Sequence, residues 1–301
     1  MYHVPVMLKE CIEGLNIKPD GIYVDVTFGG GGHSRAILEK LGKNGRLIGF
    51  DQDEDALKNV PNDERFIFVQ ANFAEIKRFL RLHGYKQVDG ILADLGVSSH
   101  QFDTAERGFS YRFDASLDMR MNQADELTAA KILNTYSVDN LQNVFSEYGE
   151  VRNSKTLAEA IVSNREVRPF QTINDFTMML KPLVRGEEYK YFSQVFQALR
   201  IEVNQEMQVL QDFFHATIEV LKPEGRLVVL SYHSLEDRAA KNLFKTGNCA
   251  GDVIQDFYGN IERPFTIITK KAVDASKEEQ KLNSRSRSAK LRIGEKKGSP
   301  S

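Results

Sequence analysis

Tyr23-Val24-Asp25-Val26-Thr27-Phe28-Gly29-Gly30-Gly31-Gly32-His33-Ser34 is the stretch on which the reading of this chain turns. An apolar, β-branched run ends at Asp25, four glycines occupy positions 29 to 32, and an amphipathic segment from Ser34 to Leu41 stops at Gly42, where a left-handed cap would close a helix. The order is strand, tight turn, helix. Glycine in such a turn lets the backbone bend sharply and lie close against a small molecule, because no Cβ stands between them. A binding site is therefore expected at the carboxyl end of this first strand.

The dinucleotide fingerprint Gly-x-Gly-x-x-Gly is half met: Gly29 and Gly31 fit, and the third position falls on Ser34. That counts against a nicotinamide cofactor. The arrangement Asp25-x-x-x-Gly29-x-Gly31 instead resembles the first motif of class I methyltransferases that use S-adenosylmethionine. A glycine run can also be a plain turn, so the reading depends on what the following strands carry.

Three further buried-type strands come next. Arg46 to Asp51 ends in an acid 22 residues beyond Gly29, placed to accept hydrogen bonds from both hydroxyls of a ribose. The series Asp51-x-Asp53-x-Asp55 is not a calcium loop, since its sixth and twelfth positions are Ala56 and Asn62, and Asp53 reads as the cap of a helix from Glu54 to Val60. Phe66 to Gln70 leads to Phe73, which either lies beside an adenine or packs as a core aromatic. Val88 to Asp94 is the fourth strand, and a helix from about Ala74 to His83 precedes it. Strands alternating with helices specify a parallel sheet with crossovers, and ligands of such sheets bind at the carboxyl ends. Gly29 to His33, Asp51 and Asp94 thus converge on one crevice, and acids ending three strands are hard to explain as packing.

The alternation then stops. From Gln101 to about Asn204 there is a loop followed by helical periodicity, which predicts a helical domain at 101–204 inserted between methyltransferase-type segments 1–100 and 205–301. The loop Ala105 to Asp114 mixes arginines with aromatics, a pattern suited to phosphate contact and base stacking or to an ordinary lid. A helix from about Asn204 to Leu221, a turn at 222–225 and a fifth strand, Arg226 to Ser231, resume the sheet. Ser234 and Asp237 have capping-box spacing, and His233 stands at a strand's carboxyl end beside the crevice, which favours a site role over a core one. Phe265 to Thr269 and Ala289 to Ile293 can supply the last two strands. Ahead of the first strand, the amphipathic stretch Leu8 to Leu15 is expected to pack on the main domain.

Of the 301 residues, 41% are hydrophobic and 27% charged, enough for a sizeable core. No apolar run approaches the roughly 20 residues of a spanning helix, and no leader pattern is seen at the N-terminus, so no membrane association is expected and the cytoplasm is the expected location. Cys11 and Cys249 form no zinc spacing and no disulfide framework, and no metal is expected. The formal net charge is −2, but residues 277 to 297 hold eight Lys or Arg against three Glu, a local +5 that leaves −7 elsewhere. That end is either a phosphate-binding surface or a solvated tail.

With these residues assembled, the sequence resembles the bacterial small-subunit ribosomal RNA cytosine-N4 methyltransferase family, known as RsmH or MraW. The matching blocks are His3-x-Pro5-Val6-Met7-Leu8, Asp25-x-Thr27-x-Gly29-Gly30-x-Gly32-His33-Ser34, Asp94 to Ser99, Glu106 to Ser110, Leu117 to Met121, Phe196 to Asn204, His233 to Arg238 and Arg287 to Arg292. They run nearly end to end. The resemblance implies a class I, Rossmann-like fold with a mainly parallel sheet and an inserted all-helical domain, S-adenosyl-L-methionine as cofactor, and a cytosine in the decoding centre of 16S rRNA, within the small ribosomal subunit, as substrate. It implies cofactor contacts at Gly31, Gly32, His33, Asp51, Phe73, Asp94 and Gln101. The chain departs from the family pattern at Tyr191 to Val195 and at His100, and its stretch from Arg238 to Arg263 is short.

An exocyclic cytosine amine is a poor nucleophile, so the enzyme must hold it in line with the methyl and accept a proton as the bond forms. The familiar Asp/Asn/Ser-Pro-Pro-aromatic motif of amino methyltransferases is replaced here by Asp94-Leu95-Gly96-Val97. The catalytic candidates are Asp94, to orient donor or amine, with Ser98 or His233 to bond the base, which must leave its stack. The rival readings are a nicotinamide oxidoreductase and a non-catalytic RNA-binding assembly factor.

Overall fold

The computed structural model describes residues 5 to 298 apart from Asp256, Asn260 and Glu262. His3 of the opening motif lies outside the described residues. The chain divides into two compact units, Met1–Gly96 with Met207–Ser301, and Val97–Glu206.

The first unit is built on a sheet of eight strands: β1 (Ile22–Asp25), β2 (Arg46–Asp51), β3 (Phe66–Gln70), β4 (Val88–Asp94), β5 (Leu221–Ser231), β6 (Phe265–Ile267), β7 (Val273–Asp274) and β8 (Lys290–Lys296). The order is β3-β2-β1-β4-β5-β8-β6, with β7 paired to β8. All pairs from β3 to β5 are parallel, and β8 runs antiparallel to β5, β6 and β7. Five parallel strands with crossovers, and an antiparallel strand between β5 and β6, make this the Rossmann-like class I arrangement expected from the sequence.

Successive strand residues feed opposite faces. Val24, Ile48, Ile91, Leu227 and Val229 pack on one side, against α3 (Ile76–Leu82), α10 (Glu206–Val220) and α11 (Ser234–Thr246). Tyr23, Leu47, Leu92, Val228 and Leu230 pack on the other, against α1 (Leu8–Leu15) and α2 (Gly32–Lys40). Both faces are therefore dry, which is why these strands read as continuous apolar runs rather than alternating ones. Each fully buried Leu, Ile or Phe contributes about 1.5–3 kcal/mol.

Three sequence expectations change in this unit. Gly42 does not cap α2, because Leu41 is extended there and the Gly42 amide is taken by Pro19 O at 2.7 Å. The turn at 222–225 lies inside β5 as an irregularity, with Glu224 at φ 64° and the register shifting between Val88 and Gly90 of β4. Of the two readings of the basic segment 277–297, the solvated tail does not hold: it forms α12 (Lys277–Leu282) and, over the strand expected at Ala289 to Ile293, β8, and Arg292 of β8 holds Asp237 of α11 at 2.7 and 3.0 Å. Lys277, Lys281, Arg287 and Lys297 remain exposed.

The second unit is helical: α4 (Ser99–Asp103), α5 (Ala129–Thr135), α6 (Val138–Glu147), α7 (Ser154–Val167), α8 (Ile173–Leu180) and α9 (Glu188–Val203) enclose a core that includes Ile132, Phe145, Leu157, Phe176, Val195 and Leu199. Asn204 stitches it, accepting from Met121 N at 2.7 Å and donating to Met119 O at 2.8 Å, where Met119 holds a left-handed φ of 63°. Among the described residues, no helix is long and apolar enough to cross a membrane.

Candidate active site

The register places the acids. Asp25 at the end of β1 is level with Gly49 of β2 and Leu92 of β4, so Asp51 and Asp94 each stand two residues beyond it, one on either side. They flank the loop that leaves β1. This is the point where the chain order reverses across the sheet, the usual binding edge of an open α/β fold.

Asp25 is only 1% exposed and braces that loop from beneath, accepting from Ser34 Oγ at 2.7 Å and from Thr27 N at 3.2 Å. Burial raises its pKa, which the nearby His33 and these donors oppose. Asp51 Oδ2 accepts from Gly29 N at 2.8 Å and Oδ1 from Asp53 N at 2.9 Å. Each carboxylate oxygen keeps a second lone pair, so two ribose hydroxyls still find acceptors there. Burial pushes Asp51 up to about 6. Asp53 caps the short helix at Glu54–Asn59, accepting from Asp55 N.

The four glycines have separate reasons. Gly29 and Gly31 are left-handed, at φ 49° and 70°, and Gly31 starts α2. At Gly32 a Cβ would lie 2.2 Å from Pro5 Cγ, so this glycine admits the opening segment of the chain. At Gly30 a Cβ would meet nothing within 4 Å. Three of the four thus serve the protein's own backbone, and the cradle for a ligand is narrower than the glycine count implies.

His33 is buried, with Nε2 3.1 Å from Val6 O and Nδ1 3.8 Å from Asp94 Oδ2. Asp94 keeps 24% of its side chain exposed. Its amide donates to Thr27 Oγ1 at 2.8 Å, and its Oδ1 accepts from the Tyr232 hydroxyl at 2.6 Å. Burial raises the Asp94 pKa, with His33 and the Tyr232 hydrogen bond pulling it back. Phe73 is half-buried, its ring edge-on to Phe213 at 5.1 Å, so the core reading accounts for one face of it.

His233 begins α11, and the capping box sits one residue earlier than Ser234 and Asp237 predict. His233 is the cap and Glu236 the third helical residue, whose Oε2 accepts from Tyr232 N at 2.8 Å and from His233 N at 3.4 Å. The His233 ring is 8% exposed, and its Nε2 lies 3.1 Å from Glu236 Oε1. Sequence reasoning missed Tyr232 and Glu236. The spacing of Glu236 three residues after His233 was the available signal for the second; nothing local pointed to the first.

Ser98 and Gln101 belong to the helical unit. There they cap α4 reciprocally, Ser98 Oγ accepting from Gln101 N and Gln101 Oε1 from Ser98 N, both at 3.1 Å. The arginine-aromatic loop is also more structural than its composition predicts. Arg107 is 6% exposed and gives Nη2 to Arg120 O and Met121 O, both at 2.9 Å. Phe109 is buried and Tyr111 is edge-on to Phe192 and Phe196. Arg112, over the ring of Phe102, and Phe113 remain at the surface.

A protein of Bacteroides thetaiotaomicron named Ribosomal RNA small subunit methyltransferase H is 58% identical over 297 residues, covering 98% of each chain. One of Flavobacterium johnsoniae with the same name is 56% identical over 296 residues, again covering 98% of each. Among solved structures, a putative rRNA-methylase from Clostridium thermocellum aligns over 98% of this chain and 100% of its own at 11% identity and a TM-score of 0.46, too loosely to add to the strand order. The model of the MraW methylase family matches residues 1–297, and the chain therefore belongs to that family.

Proposed function

We propose that the protein transfers a methyl group from S-adenosyl-L-methionine to the exocyclic N4 amine of a cytosine in the decoding centre of 16S rRNA, acting in the cytoplasm on the small ribosomal subunit. The observation that carries this reading is the pair Asp51 and Asp94, set two residues beyond Asp25 on either side of a left-handed glycine turn, in a chain that belongs to a methylase family.

The donor set suits a nucleoside with a cationic end. Asp51 would take the ribose hydroxyls, the turn at Gly31 and Gly32 with His33 would lie along the cofactor, Phe73 would border the adenine, and Asp94 would face the charged methionine portion or the amine. When bound, the cofactor supplies a methyl whose bond to sulfur breaks with the electron pair left on sulfur. Asp94 accepts the amine's proton as the new carbon–nitrogen bond forms, and His233, at the carboxyl end of β5, bonds the edge of a cytosine lifted from its stack. The role of Gln101 rests on the family resemblance, and Ser98 is the alternative to His233 for bonding the base. The exposed arginine and lysines of 277–297, with Arg112 and Phe113, are the surfaces offered to RNA.

The test is to incubate the protein with methyl-labelled S-adenosylmethionine and small subunits from a strain lacking the modification, then map the label. Label on N4 of one decoding-centre cytosine is the expected result. Label elsewhere, or none while the cofactor binds, sinks the assignment of the substrate; binding of NADH in place of S-adenosylmethionine sinks that of the donor.

A further inference from the structure

Asp94 is held by its two oxygens unequally. Oδ1 receives the Tyr232 hydroxyl at 2.6 Å, a short bond of the kind an ionised acceptor makes. Oδ2 has His33 Nδ1 at 3.8 Å and no comparably close donor from it. The carbonyl of Val6 opposite Nε2 can only accept, so that ring nitrogen carries a hydrogen and the ring plane is fixed. Tyr232 is itself placed from both ends. Its amide donates to Glu236 Oε2 at 2.8 Å, and its ring lies beside Gly96, where a Cβ would meet Cδ2 at 3.7 Å.

We propose that Tyr232 is a positioning residue for methyl transfer: its hydroxyl fixes the Asp94 carboxylate in one orientation and leaves Oδ2 as the oxygen that takes the amine's proton. This rests on the reading of Asp94 given under the proposed function. The surroundings bear on the same carboxylate. Asp94 is faced by Asp25 from β1, Glu236 from α11, Cys11 from α1 and His33 from α2. Of these, the two carboxylates and burial all favour the protonated acid, which accepts no proton. The nearby His33 works against them first and the Tyr232 hydroxyl second, the latter as the hydrogen-bonded donor; burial beside Asp94 raises the Tyr232 pKa well above the ordinary phenol value, so it stays a neutral donor. A phenylalanine at 232 would pack alike and lack only this bond.

The experiment compares the wild type with Tyr232→Phe by three readouts: the carbon-13 carboxyl titration of Asp94 in the free protein, assigned by its absence in Asp94→Asn; the pH profile of kcat/KM for methyl transfer; and the thermal midpoint. The expected result is a rise of about one unit in the Asp94 pKa and an equal upward move of the acidic limb, the size set by losing one charge-assisted hydrogen bond. Activity returns toward the wild-type value above that limb. Incorporating a fluorotyrosine at 232, a stronger donor of nearly the same shape, moves both in the opposite direction. An unmoved Asp94 titration in both variants overturns the role of Tyr232, as does a uniform loss of rate without a shifted limb. If the titration moves but the wild type transfers no methyl to RNA, the proposed function has failed and the positioning of Asp94 by Tyr232 stands.

Discussion

Asp51 Oδ2 accepts the amide of Gly29 at 2.8 Å, so the acid at the end of β2 also holds the turn at the end of β1. If Asp51 takes the cofactor's ribose as proposed, a single side chain links loop conformation to ligand affinity. In Asp51→Asn one acceptor oxygen becomes an amide donor aimed at Gly29 N or Asp53 N. The cofactor Kd should rise roughly 10- to 100-fold, from losing a hydrogen bond to a charged group, as read by calorimetric titration with S-adenosylhomocysteine.

The same carboxylate sets a pH dependence. Burial raises Asp51 from 3.8 to about 6, so the folded protein holds a proton in a window where the unfolded chain has lost it, and this group's contribution to stability falls as pH rises through that window. A ribose donates to the ionised form. Affinity should therefore weaken as pH drops below about 6, with a proton released on binding near that pH. Calorimetry in two buffers of different ionisation enthalpy checks the release; equal apparent enthalpies would count against it.

Asp94→Ala should reduce methyl transfer by at least about 100-fold, the usual scale for a positioned proton acceptor, with the fold retained. Label incorporation measures the first and circular dichroism the second. A fully active variant would remove Asp94 from the chemistry.

Gly32 touches Pro5 so closely that Gly32→Ala should cost about 1–3 kcal/mol by overpacking and loosen the opening segment. Pro5→Ala removes the opposing ring carbons. The double variant should recover most of the loss, giving a coupling energy in denaturant unfolding. Additive losses would show that the two residues do not meet.

In the helical unit, Arg107 and Arg112 should separate stability from RNA contact. Arg107→Met removes the guanidinium that donates to the carbonyls of Arg120 and Met121 and should destabilise by about 3 kcal/mol in thermal unfolding. Arg112→Ala should leave the thermal midpoint within a degree or two and flatten the salt dependence of RNA binding by about one phosphate's worth. A filter-binding series in salt distinguishes them.

Periodicity and composition were enough for the strands from Tyr23 to Asp94, the helices of residues 127 to 204 and the acids at the strand ends, because period two or 3.6 and a run of glycines are properties of neighbours in sequence. They also located His233. Tertiary structure alone decided which polar group each side chain takes. Tyr232 reaches Asp94 across 138 positions and Arg292 reaches Asp237 across 55, distances over which only strand register can bring atoms together. The loop of Arg107 suited phosphate contact or a lid, and Arg107 is buried against backbone carbonyls; the strand expected over Ala289 to Ile293 is present as β8, but that it lies inside the sheet, between β5 and β6, was not legible. Charge and amphipathicity read the same in both cases until a partner is in place, since a guanidinium or a basic strand is satisfied equally by water, phosphate, carbonyl or carboxylate. Which of these it meets is settled by packing, and packing is a property of the folded whole.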